Sequence, residues 1–149
     1  MITRFERFLV ALSGINRSWH KIASDEMEKY GLKGSYAIYL VTMLRYPEGI
    51  TSAQLSEICD RNKADVSRSV SELENKGLAE RDSESSRYRA LIKLTDDGRA
   101  AAEQVKRMAN IAVEIAGMGI PEERRELFYK TMELISSNLQ NLSKNGIPK

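Results

Sequence analysis

Two short stripes of apolar residues, separated by a polar turn, occupy the middle of the chain. Thr51 or Ser52 caps the first helix that these stripes predict, and Gln54 stands three residues after Thr51, as a capping box requires. Asn62 caps the second helix, and Gly77 is a typical residue just beyond a helix end. Two helices joined by so tight a turn predict a helix-turn-helix. The stripes consist of Leu55, Ile58 and Cys59 in the first helix and of Val66, Val70 and Leu73 in the second.

The opposite face of the second helix, predicted over residues 63–76, carries small and hydrogen-bonding side chains together with cations. A purely solvated face more often carries several Glu and Lys residues, whereas slim side chains let a helix enter a DNA major groove. We therefore expect this face to contact DNA, against the alternative of an ordinary solvated surface. The expected contacts from the turn and the helix are Arg61, Asn62, Lys63, Ala64, Ser67, Arg68 and Ser71.

Two short runs within residues 78–94 follow the second helix and predict a β-hairpin across a polar tip at residues 83–86. The second run has the period of a strand with one apolar face. Arg87 and Arg89 lie near the tip, where a cation reaches phosphates or a narrow minor groove. The hairpin is therefore interpreted as a wing that contacts the DNA backbone and minor groove. The apolar positions of its second strand are Ala90, Ile92 and Leu94.

Three sequence words carry a resemblance to a known family: TSAQLSE from Thr51, VSRSVSELENKGLAER from Val66 and LTDDGR from Leu94. With them, residues 32–99 resemble the winged helix-turn-helix of the MarR (multiple antibiotic resistance regulator) family. The resemblance implies a mostly α-helical fold with a small β-hairpin wing, flanked by N- and C-terminal dimerisation helices. It also implies a homodimer that binds a pseudo-palindromic operator in double-stranded DNA and regulates transcription without a cofactor.

This sequence departs from the family pattern at two places. The family commonly carries an Asp and an Arg two residues apart before the second wing strand, and these positions fall on Ser86 and Tyr88 here. The resemblance therefore implies that either Arg87 or Arg89 takes the role of the family's arginine, and both remain candidates. In the turn, Asp60 and Arg61 stand where the family usually has a glycine and an apolar residue.

Long helices with broad apolar faces are predicted on both sides of this region. Pro121 starts the last of them, at a position that proline favours in a first turn. The resemblance assigns residues 1–31 and 100–149 to dimerisation and residues 32–99 to DNA binding, within a single domain over residues 1–149. The apolar positions are Phe5, Phe8, Leu9, Leu12, Ile15, Trp19 and Ile22 near the start, and Leu127, Phe128, Met132, Ile135, Leu139 and Leu142 near the end.

Composition and charge change this picture in different ways. A chain of 149 residues that is 42% hydrophobic, without a membrane-length apolar run or a signal-peptide pattern, predicts one compact cytoplasmic domain. The charge does not by itself favour DNA, because the net charge is only +2 and residues 51–99 carry nine Lys and Arg against ten Asp and Glu. The alternative function is therefore a winged-helix protein-interaction module without specific DNA binding.

Candidate chemistry is sparse in this sequence. One His, one Cys and the lack of a glycine-rich phosphate loop predict no enzymatic activity, no cofactor and no metal site. Cys59 is interpreted as a small core residue, with oxidant sensing as the alternative that the resemblance allows. His20 is interpreted as a structural histidine, with a role in binding an effector or a metal as the alternative.

An effector cavity is the remaining expectation. The resemblance implies a cavity between the dimerisation and DNA-binding parts, although the residues that would line it are more often simple core residues. A small aromatic or phenolic compound, or a stress signal, would release the repressor from DNA by disfavouring the spacing of the two recognition helices that DNA requires. The candidate lining residues are Trp19, His20, Tyr36, Tyr39 and Met43.

Overall fold

The computed structural model describes residues 2–82 and 89–148, and most of its regular structure is helical. Strands β1 (Ala79–Arg81) and β2 (Ile92–Leu94) pair antiparallel as a short hairpin. The predicted helix-turn-helix followed by a hairpin wing is confirmed. The helices are α1 (Arg4–Met27), α2 (Ala37–Leu44), α3 (Ser52–Cys59), α4 (Lys63–Asn75), α5 (Asp96–Ala116) and α6 (Glu122–Asn145), with short 3-10 turns at Glu28–Tyr30 and Gly34–Tyr36.

Both N-caps of the helix-turn-helix form as predicted. Thr51 Oγ1 accepts a hydrogen bond from the Gln54 backbone N–H at 3.2 Å, and Gln54 Oε1 accepts one from the Thr51 backbone N–H at 3.0 Å. Asn62 Oδ1 accepts a hydrogen bond from the Asp65 backbone N–H at 2.8 Å. These bonds satisfy N–H groups that the first turn of a helix leaves unpaired, so they define where α3 and α4 begin.

The end of α4 is defined as sharply as its start. The last residue of the helix is Asn75, one residue before the predicted boundary, and Lys76 is its C-cap. Gly77 then adopts a left-handed conformation with a φ of 70°, which a glycine accepts without strain. The Leu78 backbone N–H turns back to the Leu73 carbonyl at 2.9 Å, so the chain leaves α4 directly into the wing.

A cluster of buried apolar side chains joins α2, the helix-turn-helix, the hairpin and the first half of α5. The predicted inward positions of α4 all belong to it, but the prediction for Ile58 is wrong, since that side chain is 42% exposed. At about 100° per residue, the core direction of α3 lies between Leu55 and Cys59, which leaves Ile58 at the edge of the stripe. The largest fully buried apolar residues are Tyr39, Met27, Leu40, Met43, Ile50, Leu55, Leu73, Ile92, Val66, Val70 and Val105.

A close backbone approach holds the start of α5 against the wing. A Cβ atom on Gly98 would lie 1.8 Å from the Leu78 carbonyl oxygen, so only glycine fits there. Thr95 Oγ1 accepts a hydrogen bond from the Gly98 N–H at 3.0 Å and donates one to the Gly77 carbonyl at 2.6 Å. The Thr95 cap and the close approach at Gly98 together account for the threonine and the glycine of the LTDDGR segment, where β2 ends and α5 begins.

The turn between α5 and α6 is closed by one arginine. The Arg125 guanidinium donates to Glu114 Oε2 at 2.8 Å, to the Gly117 carbonyl at 2.8 Å and to the Ile120 carbonyl at 3.1 Å. Pro121, predicted as the first helical residue, is instead the N-cap of α6, because its ψ of 148° is extended. The predicted helix therefore exists but begins one residue later.

Helices α1 and α6 carry apolar side chains that remain exposed in this chain. No residue of α6 is buried, and Phe5 of α1 is 69% exposed. The two helices belong to different compact units, Met1–Asn110 and Ile111–Lys149. Across residues 2–82 and 89–148, no helix combines the length and the apolar character that a membrane crossing requires. The exposed apolar residues are Phe5, Leu9, Val10, Leu12, Ile15, Trp19 and Ile22 in α1, and Leu127, Phe128, Leu134, Leu139 and Leu142 in α6.

Candidate nucleic-acid interface

The outward face of α4 is the surface for which the sequence predicts contacts to DNA. Its inner side is buried, and its outer side exposes two cations among small side chains. A helix with so slim an outer face can approach base edges closely. The outward residues are Lys63, Ala64, Ser67 and Arg68, which are exposed, and Ser71, which is half-buried.

The turn before α4 is held in a single geometry by its own hydrogen bonds. Asp60 adopts a left-handed conformation with a φ of 50°, at the position where the resemblance leads us to expect a glycine. Arg61 donates its backbone N–H to the Ser56 carbonyl at 3.0 Å, and Ser56 Oγ donates to the Arg61 carbonyl. The exposed Arg61 side chain therefore projects from a fixed point, while the side-chain oxygen Oδ1 of Asn62 is already used for capping.

Tyr39 positions the first turn of α4 from beneath. Its hydroxyl donates to Asp65 Oδ2 at 2.8 Å, across 26 residues of sequence. Burial, together with the hydrogen bond to Asp65, raises the pKa of Tyr39 to about 12, so the phenol remains a donor at neutral pH. On the other side, Asp65 Oδ1 lies 3.7 Å from the Arg68 guanidinium. This exposed ion pair is weak, so Arg68 can exchange it for DNA at little cost.

Charge is distributed unevenly along α4. Within α4, Lys63 and Arg68 stand against Asp65 alone in the first half, whereas Glu72 and Glu74 stand in the second half. A polyanion is therefore attracted to the first half of the helix and repelled from the second half. Recognition helices of helix-turn-helix proteins contact base edges with their N-terminal residues, so this polarity suits that docking geometry.

The wing is attached to the end of α4 through an ion pair. Arg81 of β1 contacts Glu74 through its Nε atom, and both side chains are largely shielded from solvent. Arg89 is exposed just ahead of β2, as a backbone or minor-groove contact requires. Arg87 and the predicted tip at residues 83–86 lie outside the described residues. The structure thus places one of the two candidate wing arginines.

The five candidate effector residues occupy different environments. Tyr39 and Met43 are fully buried in the core, whereas Trp19 and His20 lie on the exposed surface of α1. Tyr36 is half-buried, and its ring lies 6.3 Å from that of Tyr39. The five residues therefore range from fully buried to exposed. A cavity that all five line remains a prediction.

An open groove of about 610 Å³ lies between α4 and the segment at residues 31–36. It contains Tyr36 but none of the other candidate effector residues. Sequence reasoning missed Lys33 and Ser35 in its wall, because they precede the motif and belong to no periodic pattern. The residues that line it are Gly31, Leu32, Lys33, Ser35, Tyr36, Asp65, Ser67, Arg68, Ser71 and Glu72.

Cys59 packs at the margin of the core. Its side chain is half-buried, and its Sγ donates to Thr42 Oγ1 at 3.4 Å. Packing against the core agrees with the interpretation of Cys59 as a small core residue.

Comparison with known proteins agrees with this geometry. The family model described as MarR family matches residues 30–87, and no curated protein matches the sequence. A MarR transcriptional regulator from Methanosarcina mazei Go1 is 22% identical, with a TM-score of 0.76 over 92% of this chain and 99% of that one. A MarR family regulator from Listeria monocytogenes, solved with a 26mer DNA, is 21% identical, with a TM-score of 0.80 over 95% and 96% of the two chains. The MarR protein from Peptoclostridium difficile is 19% identical, with a TM-score of 0.82 over 95% and 94%.

Proposed function

Because the winged-helix segment of this chain is of the MarR family, we propose that the protein is a dimeric, sequence-specific DNA-binding transcriptional regulator that acts in the cytoplasm. The observation that carries the proposal is the outer face of α4. It bears exposed cations and small side chains on a helix whose first turn is held by the Asn62 cap and by the Tyr39–Asp65 hydrogen bond. Nothing in this constellation supplies the groups of an enzyme active site.

In this proposal α4 enters the major groove with its N-terminal half. Arg68 and Lys63 are the charged side chains that face base edges, and Ser67 adds a hydroxyl. Arginine that bonds guanine through two N–H groups is the commonest specific contact in such a groove. Arg89, with Arg87, contacts the backbone or the minor groove beside it.

Dimerisation rests on the apolar faces of α1 and α6. Exposed apolar surface of this extent marks an interface more often than a free surface, and a second copy presents the same faces. A two-fold dimer places two recognition helices about 34 Å apart, one turn of DNA, so the operator is pseudo-palindromic. Contacts from both subunits would reach roughly 6–10 phosphates.

Regulation follows from the spacing of the two recognition helices. A small aromatic or phenolic compound, or a stress signal, that favours another spacing would shift the population away from the DNA-bound form. The protein then acts as a repressor that its effector releases.

The test is a fluorescence-anisotropy titration against the DNA upstream of its own gene and against a scrambled duplex, at about 50 and 200 mM salt. We expect a preference for the upstream DNA of roughly a thousandfold or more, with a steep loss of affinity at the higher salt. Equal weak binding to both duplexes, followed by failure to select any site from genomic fragments, would contradict the proposal.

The second candidate is a winged-helix module that binds a protein. It is favoured by the near balance of charge in residues 51–99, which contain nine Lys and Arg residues and ten Asp and Glu residues. A partner that stays bound at high salt would support this candidate, whereas DNA binding through phosphates would weaken about linearly on a logarithmic salt scale.

A further inference from the structure

The groove between α4 and residues 31–36 shares its wall with the outer face of the recognition helix. Ser67, Arg68 and Ser71 belong both to that face and to the groove. A helix with its side chains is about 10–12 Å wide and the major groove of DNA about 12 Å, so the two phosphate backbones pass directly beside an inserted helix. The groove adjoins the outer face on one side of α4, so in the proposed docking the backbone that flanks the helix on that side passes over the groove.

We propose that the groove receives the phosphate backbone of one DNA strand and that Lys33 is a phosphate contact. This inference rests on the proposed function, and it adds a contact outside the helix-turn-helix and the wing. Lys33 is exposed in the groove wall, and among the residues that the structure describes it forms no ion pair. The Ser35 hydroxyl beside it supplies a second donor of the kind that binds phosphate.

The carboxylates of the groove fit this assignment unequally. Asp65 accepts a hydrogen bond from the Tyr39 hydroxyl at 2.8 Å and lies 3.7 Å from Arg68, so part of its charge is offset while that weak ion pair persists. Glu72 has no ion pair within the described residues, and its exposed carboxylate opposes a phosphate. Besides Arg68 and Asp65, the groove therefore contains one cation, Lys33, that should strengthen DNA binding and one anion, Glu72, that should weaken it, and the two can be tested against each other.

The segment that carries Lys33 is held rigidly on both sides. Leu32 is buried, and its backbone N–H donates to the Met27 carbonyl at 3.2 Å. Gly34 is pressed against α1 so closely that a Cβ atom there would lie 2.7 Å from the Ser24 backbone nitrogen. Because the backbone on both sides of Lys33 is anchored, only its side chain has to be ordered when it binds a phosphate.

The experiment compares Lys33→Gln with the wild-type protein by anisotropy on the upstream DNA and on a scrambled duplex. We expect affinity to fall roughly twofold to fivefold per half-site on both duplexes alike, the range of an exposed charge pair. The slope of log affinity against log salt should become shallower by about one per subunit. Lys106→Gln, which removes the same charge from an exposed position outside the groove, should change neither quantity.

Two further measurements keep the assignment falsifiable. Glu72→Gln should strengthen binding on both duplexes, the opposite sign from Lys33→Gln. Ethylation of one backbone phosphate per half-site should interfere with the wild-type protein but no longer with Lys33→Gln. If wild-type specificity is intact and the salt slope of Lys33→Gln is unchanged, the groove assignment is overturned alone. If the wild-type protein binds no duplex, the proposed function is overturned with it.

Discussion

Helices α4 and α6 use their apolar residues in opposite ways. In α4, thirteen residues suffice to bury Val66, Ser69, Val70 and Leu73 completely within the chain. In α6, twenty-four residues bury none. Apolar surface in water is costly. The apolar side of α4 is covered by its own chain, whereas among the described residues nothing buries the apolar side of α6. The contrast separates a helix whose position the chain itself defines from one that would pack against a second copy in the proposed dimer.

The largest expected effect breaks this contrast at α6. Leu139→Glu with Leu142→Glu places two charges in the proposed dimer interface, where an unpaired buried charge costs several kcal/mol. We expect monomers in sedimentation velocity at micromolar protein, and a loss of operator affinity of about a hundredfold or more because two-site binding is lost. The fold of the winged helix should persist, since neither leucine contributes to its core.

The matched control adds the same charges to the opposite side of α6. Ser137→Glu with Gln140→Glu lies away from the apolar stripe, keeps the three-residue spacing and changes two residues that are already exposed. This variant should remain a dimer with near-normal DNA binding. A dimeric, fully active Leu139/Leu142 variant would remove α6 from the interface.

The next effect sharpens the contrast from the side of the winged helix. Gly98→Ala would bring a methyl group within 1.8 Å of the Leu78 carbonyl oxygen, so the start of α5 must move away from the wing. We expect a loss of about 3 kcal/mol in the free energy of unfolding, at the upper end of overpacking costs. Urea denaturation followed by circular dichroism measures it.

Gly14→Ala is the control for this substitution. Gly14 lies inside α1 with open space around the position of a Cβ atom, so alanine should stabilise the protein by up to about 1 kcal/mol through helix propensity. Equal effects of the two alanines would show that the approach of α5 to the wing is not a constraint on the fold.

A smaller effect tests how α4 recognises DNA. Arg68→Ala should weaken binding to the operator by roughly 1–3 kcal/mol and relax the preference for one base pair, because a bidentate base contact is lost. Arg89→Ala should instead lower affinity for all duplexes and flatten the salt slope. Titrations against the operator and its single-base variants separate these patterns. Identical behaviour of the two protein variants would contradict the assignment of base contacts to α4 and of backbone contacts to the wing.

The sequence predicted this site as far as its determinants are local. The capping pairs of Thr51 with Gln54 and of Asn62 with Asp65 span three residues, so the helix starts were correct. Contacts between distant segments were not visible in this way. The Tyr39–Asp65 bond, the Arg81–Glu74 pair and the groove at residues 31–36 arise from packing that no periodicity encodes. Ile58 was misplaced because a two-turn helix buries a narrower stripe than its apolar spacing suggests.

The smallest expected effect concerns the turn that departs from the family pattern. Asp60 occupies the left-handed region, where a side chain costs free energy that glycine avoids, although glycine also loses more entropy on folding. Asp60→Gly should therefore raise the stability by only about 0.5 kcal/mol. Because it also removes a carboxylate next to Arg61, DNA affinity should rise. Asp60→Asn separates the two contributions, since asparagine tolerates the same conformation: it should raise affinity with little change in the melting temperature. If Asp60→Asn leaves affinity unchanged, the turn lies too far from the phosphates for its charge to matter, and Arg61 leaves the list of DNA contacts with it.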